Sequence, residues 1–224
     1  MKRDSVIAVF SSLVLLLACA SAAFSQELKP IQLPKPQMSG GKPIMDVLRD
    51  RHSSRDFSTQ KLPDQILANV LWAAHGLNRP DAAKGQPSHT NPSGHNVQEV
   101  DVYVATADGL YVYDEIANVL KPVKSEDIRS FLTAPVQKFP ADAPLNLIYV
   151  ADLAKLKGED PSVMTALTYA TTLGMVENVY LYCASEGLAT VVRLMFDKNA
   201  LAKAMGLRPD QSITLEQVVG YPKK

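Results

Sequence analysis

Between Pro161 and Gly187 the chain carries its strongest helix signal, and any fold it adopts must be built around that rod. Proline is tolerated at a first helical turn, and a glycine just past the end closes the last one. Ala166, Ala170 and Gly174 are spaced four apart, so one line of the surface is stripped of bulk and another element can approach closely. The stretch is apolar on most sides. A helix of that kind is expected to meet the core on one face and a second subunit on the other.

The segments around it mix two periodicities. Val100-Asp101-Val102-Tyr103-Val104 and Leu110-Tyr111-Val112-Tyr113 alternate with period two and are joined through Ala107-Asp108-Gly109, the signature of a β-hairpin. Leu145 to Ala151 reads as a central strand and Ile213 to Val219 as a final one. Helical spacing recurs from Pro43 to Arg49, and from Asp64 through Ile66, Leu67, Val70, Leu71 and Ala74 to a stop at Gly76. Ser125 is a suitable cap for a short helix to Leu132, and another helix is expected from Lys198 to Met205. Helices and antiparallel strands interleaved in this way indicate an α+β fold. With 46% hydrophobic and 21% charged residues, the chain has the material for a packed core.

Residues 1–25 read as a secretory signal: Lys2 and Arg3, an apolar run from Val6 to Ala18, and a small-residue end at Ala23-Phe24-Ser25. The run is too short for the ~20 residues that a permanent bilayer span needs. Leu16-Leu17-Ala18-Cys19 also resembles a lipoprotein cleavage box, so membrane attachment is expected only if Cys19 is lipidated. The expected location is periplasmic or otherwise exported. Cleavage after Ser25 leaves Cys183 as the one cysteine, read as a core residue. Residues 26–43, with four prolines and Gly40-Gly41, suggest an extended arm, leaving 44–224 as the domain. The 23 basic and 23 acidic side chains balance, which argues against nucleic acid as a partner.

Dinucleotide fingerprint, phosphate loop, zinc-protease helix and nucleophile elbow are all missing. Of the four histidines, His89 and His95 with a carboxylate such as Glu99 form the one metal set worth weighing, and no metal site is expected. Two polar clusters remain. In Arg51-His52-Ser53-Ser54-Arg55-Asp56-Phe57, either an extended or a helical backbone brings Arg51 and Arg55 to one side. Two close cations and a hydroxyl suit a phosphate monoester; the bland alternative is a solvated turn partly neutralised by Asp50 and Asp56. The second cluster, Asn91-Pro92-Ser93-Gly94-His95-Asn96-Val97-Gln98, closes a loop without apolar periodicity from Leu77 to Asn96. Its hydroxyl and amide groups offer the donors and acceptors that a flat heteroaromatic ring requires, though an ordinary polar connection into a strand would look similar.

Arg51-His52-Ser53-x-Arg55-x-Phe57, Pro92-Ser93-x-x-Asn96-x-Gln98, the tract from Gly174 through Asn178, Leu181 and Ala184 to Gly187-Leu188, and Val219-Gly220-Tyr221-Pro222 resemble the FMN-dependent nitroreductase family in order and spacing. Leu71 to Pro80 looks most like the branch containing the thiazole- and oxazole-forming peptide dehydrogenases. The resemblance implies a central, mostly antiparallel sheet flanked by helices, in a homodimer with a long interface helix and one FMN in each interfacial cleft. It further implies that Arg51, Ser53 and Arg55, with His52, hold the phosphate and ribityl end. Pro92, Ser93 and Asn96 would contact the isoalloxazine, and Ala189, Thr190 and Val191 would run along the ring. The implied chemistry is electron transfer from a small donor to a small acceptor, a nitroaromatic or quinone, with no side chain required as acid, base or nucleophile. Azoline oxidation, or flavin binding without catalysis, is the alternative.

Overall fold

The computed structural model describes residues 27–79 and 88–223; the expected signal with Cys19, loop residues 80–87 and Lys224 lie outside them. Seven strands form one sheet: β1 (Ile31–Gln32), β4 (Val100–Thr106), β5 (Gly109–Asp114), β6 (Val119–Lys124), β7 (Leu145–Asp152), β8 (Ala189–Arg193) and β9 (Gln211–Gly220). Their spatial order is β1-β6-β5-β4-β7-β9-β8, and every pairing is antiparallel. A separate ribbon pairs β2 (Leu77–Arg79) with β3 (Ser88–His89). The helices are α1 (Ile44–Asp50), α2 (Asp64–His75), α3 (Pro161–Glu186) and α4 (Lys198–Met205). The architecture is the expected α+β one.

Alternation along the strands builds a core on each side of the sheet. Val100, Val102 and Val104 of β4, with Leu145, Leu147 and Tyr149 of β7, face Leu71 of α2 and Val176, Val179, Tyr180 and Cys183 of α3. Tyr103 and Ala105, with Ile148 and Val150, point the other way, toward Leu201 and Met205 of α4. β7 is therefore buried on both faces, as its apolar sequence requires. Each fully buried side chain of this size contributes roughly 1.5–3 kcal/mol, so the turn of α3 from Met175 to Tyr180 anchors the helix firmly. Asp160 caps its start by accepting from the Ser162 amide, and Gly187 ends it at φ 69, a left-handed conformation natural to glycine. Cys183 is fully buried, which pushes its thiol well above the ordinary range and makes it an inert part of the core.

Several segments hold structure that the sequence pattern does not declare, the β2–β3 ribbon within the expected loop among them. Ser125 starts no helix; β6 precedes it, and only a 3-10 turn from Arg129 to Leu132 follows. Pro122 concealed the strand, which absorbs it at a register shift where Tyr111 faces Pro122 and Leu110 faces Lys124. β8 appears directly after α3, where no strand was expected. The arm also holds regular structure: Ile31 and Gln32 pair with β6 on the chain's own sheet, and Leu33 is buried.

Candidate functional site

The cationic segment is extended and lies against the free edge of β8. The Ser54 amide donates to the Thr190 carbonyl at 2.9 Å, Phe57 bridges Pro222, and the Ser58 amide donates to the Tyr221 carbonyl at 2.9 Å. An extended course puts Arg51, Ser53 and Arg55 on one side by alternation. Asp50, which could have neutralised them, is taken by Lys42 and Arg49, whose cations hold its carboxyl below the usual range. Among the described residues, neither Arg51 nor Arg55 forms an ion pair. His52 is exposed and donates through Nδ1 to the Asp50 carbonyl at 2.7 Å.

Tyr180 is the clasp of this cluster. Its hydroxyl accepts from the Val192 amide at 2.9 Å and lies 2.8 Å from Ser53 Oγ, and the Arg51 guanidinium sits over its ring at 5.2 Å. With one lone pair filled by Val192, the phenolic proton is free to go to Ser53, which leaves the serine proton available to an anion. Sequence reasoning passed Tyr180 over because its ring fits the apolar pattern of α3. The signal was there: a buried tyrosine hydroxyl normally finds a partner.

Ala189, Thr190 and Val191 form the first part of β8, and all three side chains are buried. The Thr190 hydroxyl donates to the Val218 carbonyl at 2.8 Å and accepts from Gln217 Nε2 at 3.1 Å. Only backbone is left to meet a ligand. The outward Thr190 carbonyl and Val192 amide, both bonded away from β9, fix the alternation, so Ala189 and Val191 turn their polar groups into the ladder and Thr190 turns its N–H out.

Pro92, Ser93 and Asn96 belong to a second cluster, braced by α2 and α3. The Thr90 hydroxyl bonds the Trp72 and Ala73 carbonyls near the end of α2, and Asn178 Nδ2 donates to the Thr90 carbonyl. Gly174 accounts for one of the small positions on α3: a Cβ there would sit 3.1 Å from Pro92 Cδ, so the glycine admits the loop. Ser93 Oγ accepts from the Gln98 amide and donates to Glu99 Oε2, both at 2.9 Å, and these two bonds leave one of its lone pairs unfilled. His95, Asn96 and Gln98 all have φ between 51° and 57°. Left-handed backbone at three non-glycine residues costs on the order of 1–3 kcal/mol each and is concentrated at functional sites.

The two clusters do not meet within one chain through the contacts described: Ser53 is bound at Tyr180, whereas Pro92 packs at Gly174, more than a turn away on α3. The weighed metal set does not assemble either. Glu99 is committed to Ser93, and His89 stacks on His75 with ring centroids 4.1 Å apart. Several large apolar side chains are exposed: Ile44, Met45 and Leu48 of α1, Val163 and Leu173 of α3, and Leu194 and Met195 after β8.

The nitroreductase family model matches residues 48–221. This chain belongs to the nitroreductase family. It is 37% identical to a protein assigned as a nitroreductase from Ralstonia eutropha JMP134, covering 89% of this chain and 92% of that one, with a TM-score of 0.81. More distant structures share the fold. One is the E. coli microcin synthetase McbBCD complex with truncated pro-MccB17 bound, at 17% identity and TM-score 0.66, covering 92% of this chain and 84% of that one. Another, assigned as a nitroreductase from Desulfovibrio desulfuricans and solved in complex with FMN, has 17% identity and TM-score 0.58 over 83% and 89% of the two chains. As a family member, the chain is of the flavin-oxidoreductase type.

Proposed function

We propose that this nitroreductase-family chain is an exported, FMN-dependent oxidoreductase that acts as a homodimer on a small acceptor such as a nitroaromatic or a quinone. The observation that carries the reading is the pair of guanidiniums, Arg51 and Arg55, flanking a hydroxyl and lacking any carboxylate partner among the described residues. Cations on one extended segment that lack carboxylate partners suit a dianionic phosphate, which fits the phosphate end of FMN. The FMN complex of the Desulfovibrio relative supports the same cofactor.

In this reading Arg51, Ser53 and Arg55 bind the phosphate, with His52 bordering them. The outward Thr190 amide lies along the ring, and Pro92, Ser93 and Asn96, with the serine lone pair aimed at a ring N–H, orient it. FMN, when bound, supplies two-electron chemistry, and the chain's own residues place it and exclude water. The exposed apolar side chains of α1, α3 and residues 194–195 support a dimer that joins one subunit's cationic cluster to its partner's loop cluster. Export rests on residues 1–25. Oxidation of azoline rings in a peptide is the second reading, supported by the fold likeness to the microcin synthetase complex.

The test is direct. The purified chain is expected to take up one FMN per subunit and to run as a dimer on gel filtration. The bound flavin, once reduced, should be reoxidised by nitroaromatics or quinones. A colourless protein that binds no added FMN would overturn the cofactor, and reoxidation by an azoline peptide alone would favour the second reading.

A further inference from the structure

Away from the cationic cluster, three side chains from different parts of the sequence converge. His75 is the last residue of α2, His89 lies on β3, and Glu115 follows β5. Their candidate ligand atoms all lie within 4.8 Å of one another. The two histidines are buried, and Glu115 is half-buried. We propose that His75, His89 and Glu115 form a binding site for a divalent transition-metal ion of the zinc class.

His89 carries the argument. Its side chain is 2% exposed, yet neither ring nitrogen has a hydrogen-bond partner among the described residues. Leaving buried polar atoms unpaired costs about 1–3 kcal/mol each, so packing alone gives no reason for a histidine here. The contact it does approach has the wrong length for a hydrogen bond: Nε2 stands 3.5 Å from Glu115 Oε1. Two ligands each about 2.0–2.1 Å from one tetrahedral ion are separated by roughly 3.4 Å. The His89–Glu115 spacing fits two ligands sharing a cation, and without the ion it is a long histidine–carboxylate contact.

His75 is prepared in a complementary way. Its Nδ1 donates to Asn91 Oδ1 at 2.8 Å, because an amide oxygen can only accept, and this fixes Nε2 as the lone-pair nitrogen. Asn91 is held in that orientation by its own Nδ2, which donates to the Pro92 carbonyl at 3.2 Å. A histidine whose second nitrogen is engaged by a fixed acceptor is the usual arrangement around a metal ligand. The rings are stacked 3° from parallel, so binding requires one of them to swing out of the stack and bring the third ligand inward. Two imidazoles and one carboxylate suit zinc-class ions, with water completing the shell, and not magnesium or calcium.

The site does not depend on the FMN reading, although it would pin the loop that carries Ser93 and Asn96. Cobalt, whose colour reports coordination, is the probe. The full chain, stripped with a chelator, is expected to take up one Co2+ with the intense visible bands of a four-coordinate ion, and Zn2+ should displace it. His89→Gln and Glu115→Gln should abolish the bands or weaken affinity at least as much as Asn91→Ala, for which loss of an orienting partner predicts a 10–100-fold drop. His52→Gln and His95→Gln should bind cobalt like the parent. Glu115 is partly exposed, so its variant is expected to keep the parent's circular dichroism and melting temperature, which separates loss of a ligand from loss of fold. Absence of stoichiometric uptake, or uptake unchanged in both His89→Gln and Glu115→Gln, would overturn the proposal.

Discussion

Replacing Tyr180 with phenylalanine removes one oxygen and keeps the ring, so it isolates the clasp. The lost atom is the acceptor for the Val192 amide, 2.9 Å away, and the partner of Ser53 Oγ, 2.8 Å away. Stranding a half-buried amide costs about 1–3 kcal/mol, and the net loss of the serine bond about 0.5–1.5 kcal/mol. Their sum, roughly 1.5–4.5 kcal/mol, is a large part of the 5–15 kcal/mol that a domain commonly has. For a chain of this length each kcal/mol lowers the melting temperature by about 2–4 °C. Urea denaturation of the FMN-free protein, followed by circular dichroism, measures the change. Ser53→Ala should cost less, because it leaves the Val192 bond intact, and the double variant should show a coupling of at least about 0.5 kcal/mol. If Tyr180→Phe unfolds within about 0.5 kcal/mol of the parent, or if Ser53→Ala is equally harmful, the hydroxyl does not tie β8 to the cationic segment and the reasoning fails.

Arg51→Ala and Arg55→Ala should each weaken FMN by about 1.5–3 kcal/mol, roughly 10- to 150-fold in Kd by fluorescence titration; unchanged affinity in both would remove the phosphate assignment. Arg193 lies 2.9 Å from fully buried Glu216, so Arg193→Leu should cost about 3–5 kcal/mol at pH 9, where the carboxylate is ionised. Burial outweighs Arg193 and pushes the Glu216 carboxyl up to about 8 from an ordinary 4.5. The folded state thus favours the proton, and this group's contribution is full below about pH 4.5 and lost as pH rises through 8. Denaturation of Arg193→Leu should therefore show a smaller loss at pH 5 than at pH 9; equal losses would refute the buried-carboxylate account. Gln217 Oε1 accepts from the Tyr149 hydroxyl at 2.7 Å, and Gln217→Leu, which strands that hydroxyl, should lower stability by about 1–3 kcal/mol in the same assay.

The long helix, the hairpin and the central strand were legible because each declares one period and carries its own stop signals. β6 was not, because Pro122 breaks the pattern that a register shift repairs. β8 was hidden by its brevity: a five-residue apolar run after a helix carries too little periodicity to be told from a loop. At the candidate site, alternation predicts one side for Arg51, Ser53 and Arg55, and their segment does run along β8. It could not reveal that their anchor is Tyr180, 127 residues beyond Ser53. The stacking of His75 on His89 was equally invisible, since it depends on the β2–β3 ribbon folding one histidine back over the other.

The strand that bears Arg55 is clipped to the final residues, with Phe57 bridged to Pro222 and the Lys223 amide donating to the Asp56 carbonyl at 3.2 Å. In chain order Pro222 and Lys223 come after every helix and strand described, so the cation-bearing segment gains that half of its support only once the rest of the fold is present. Deleting residues 222–223 would disturb residues that stand more than 150 positions earlier in the polypeptide.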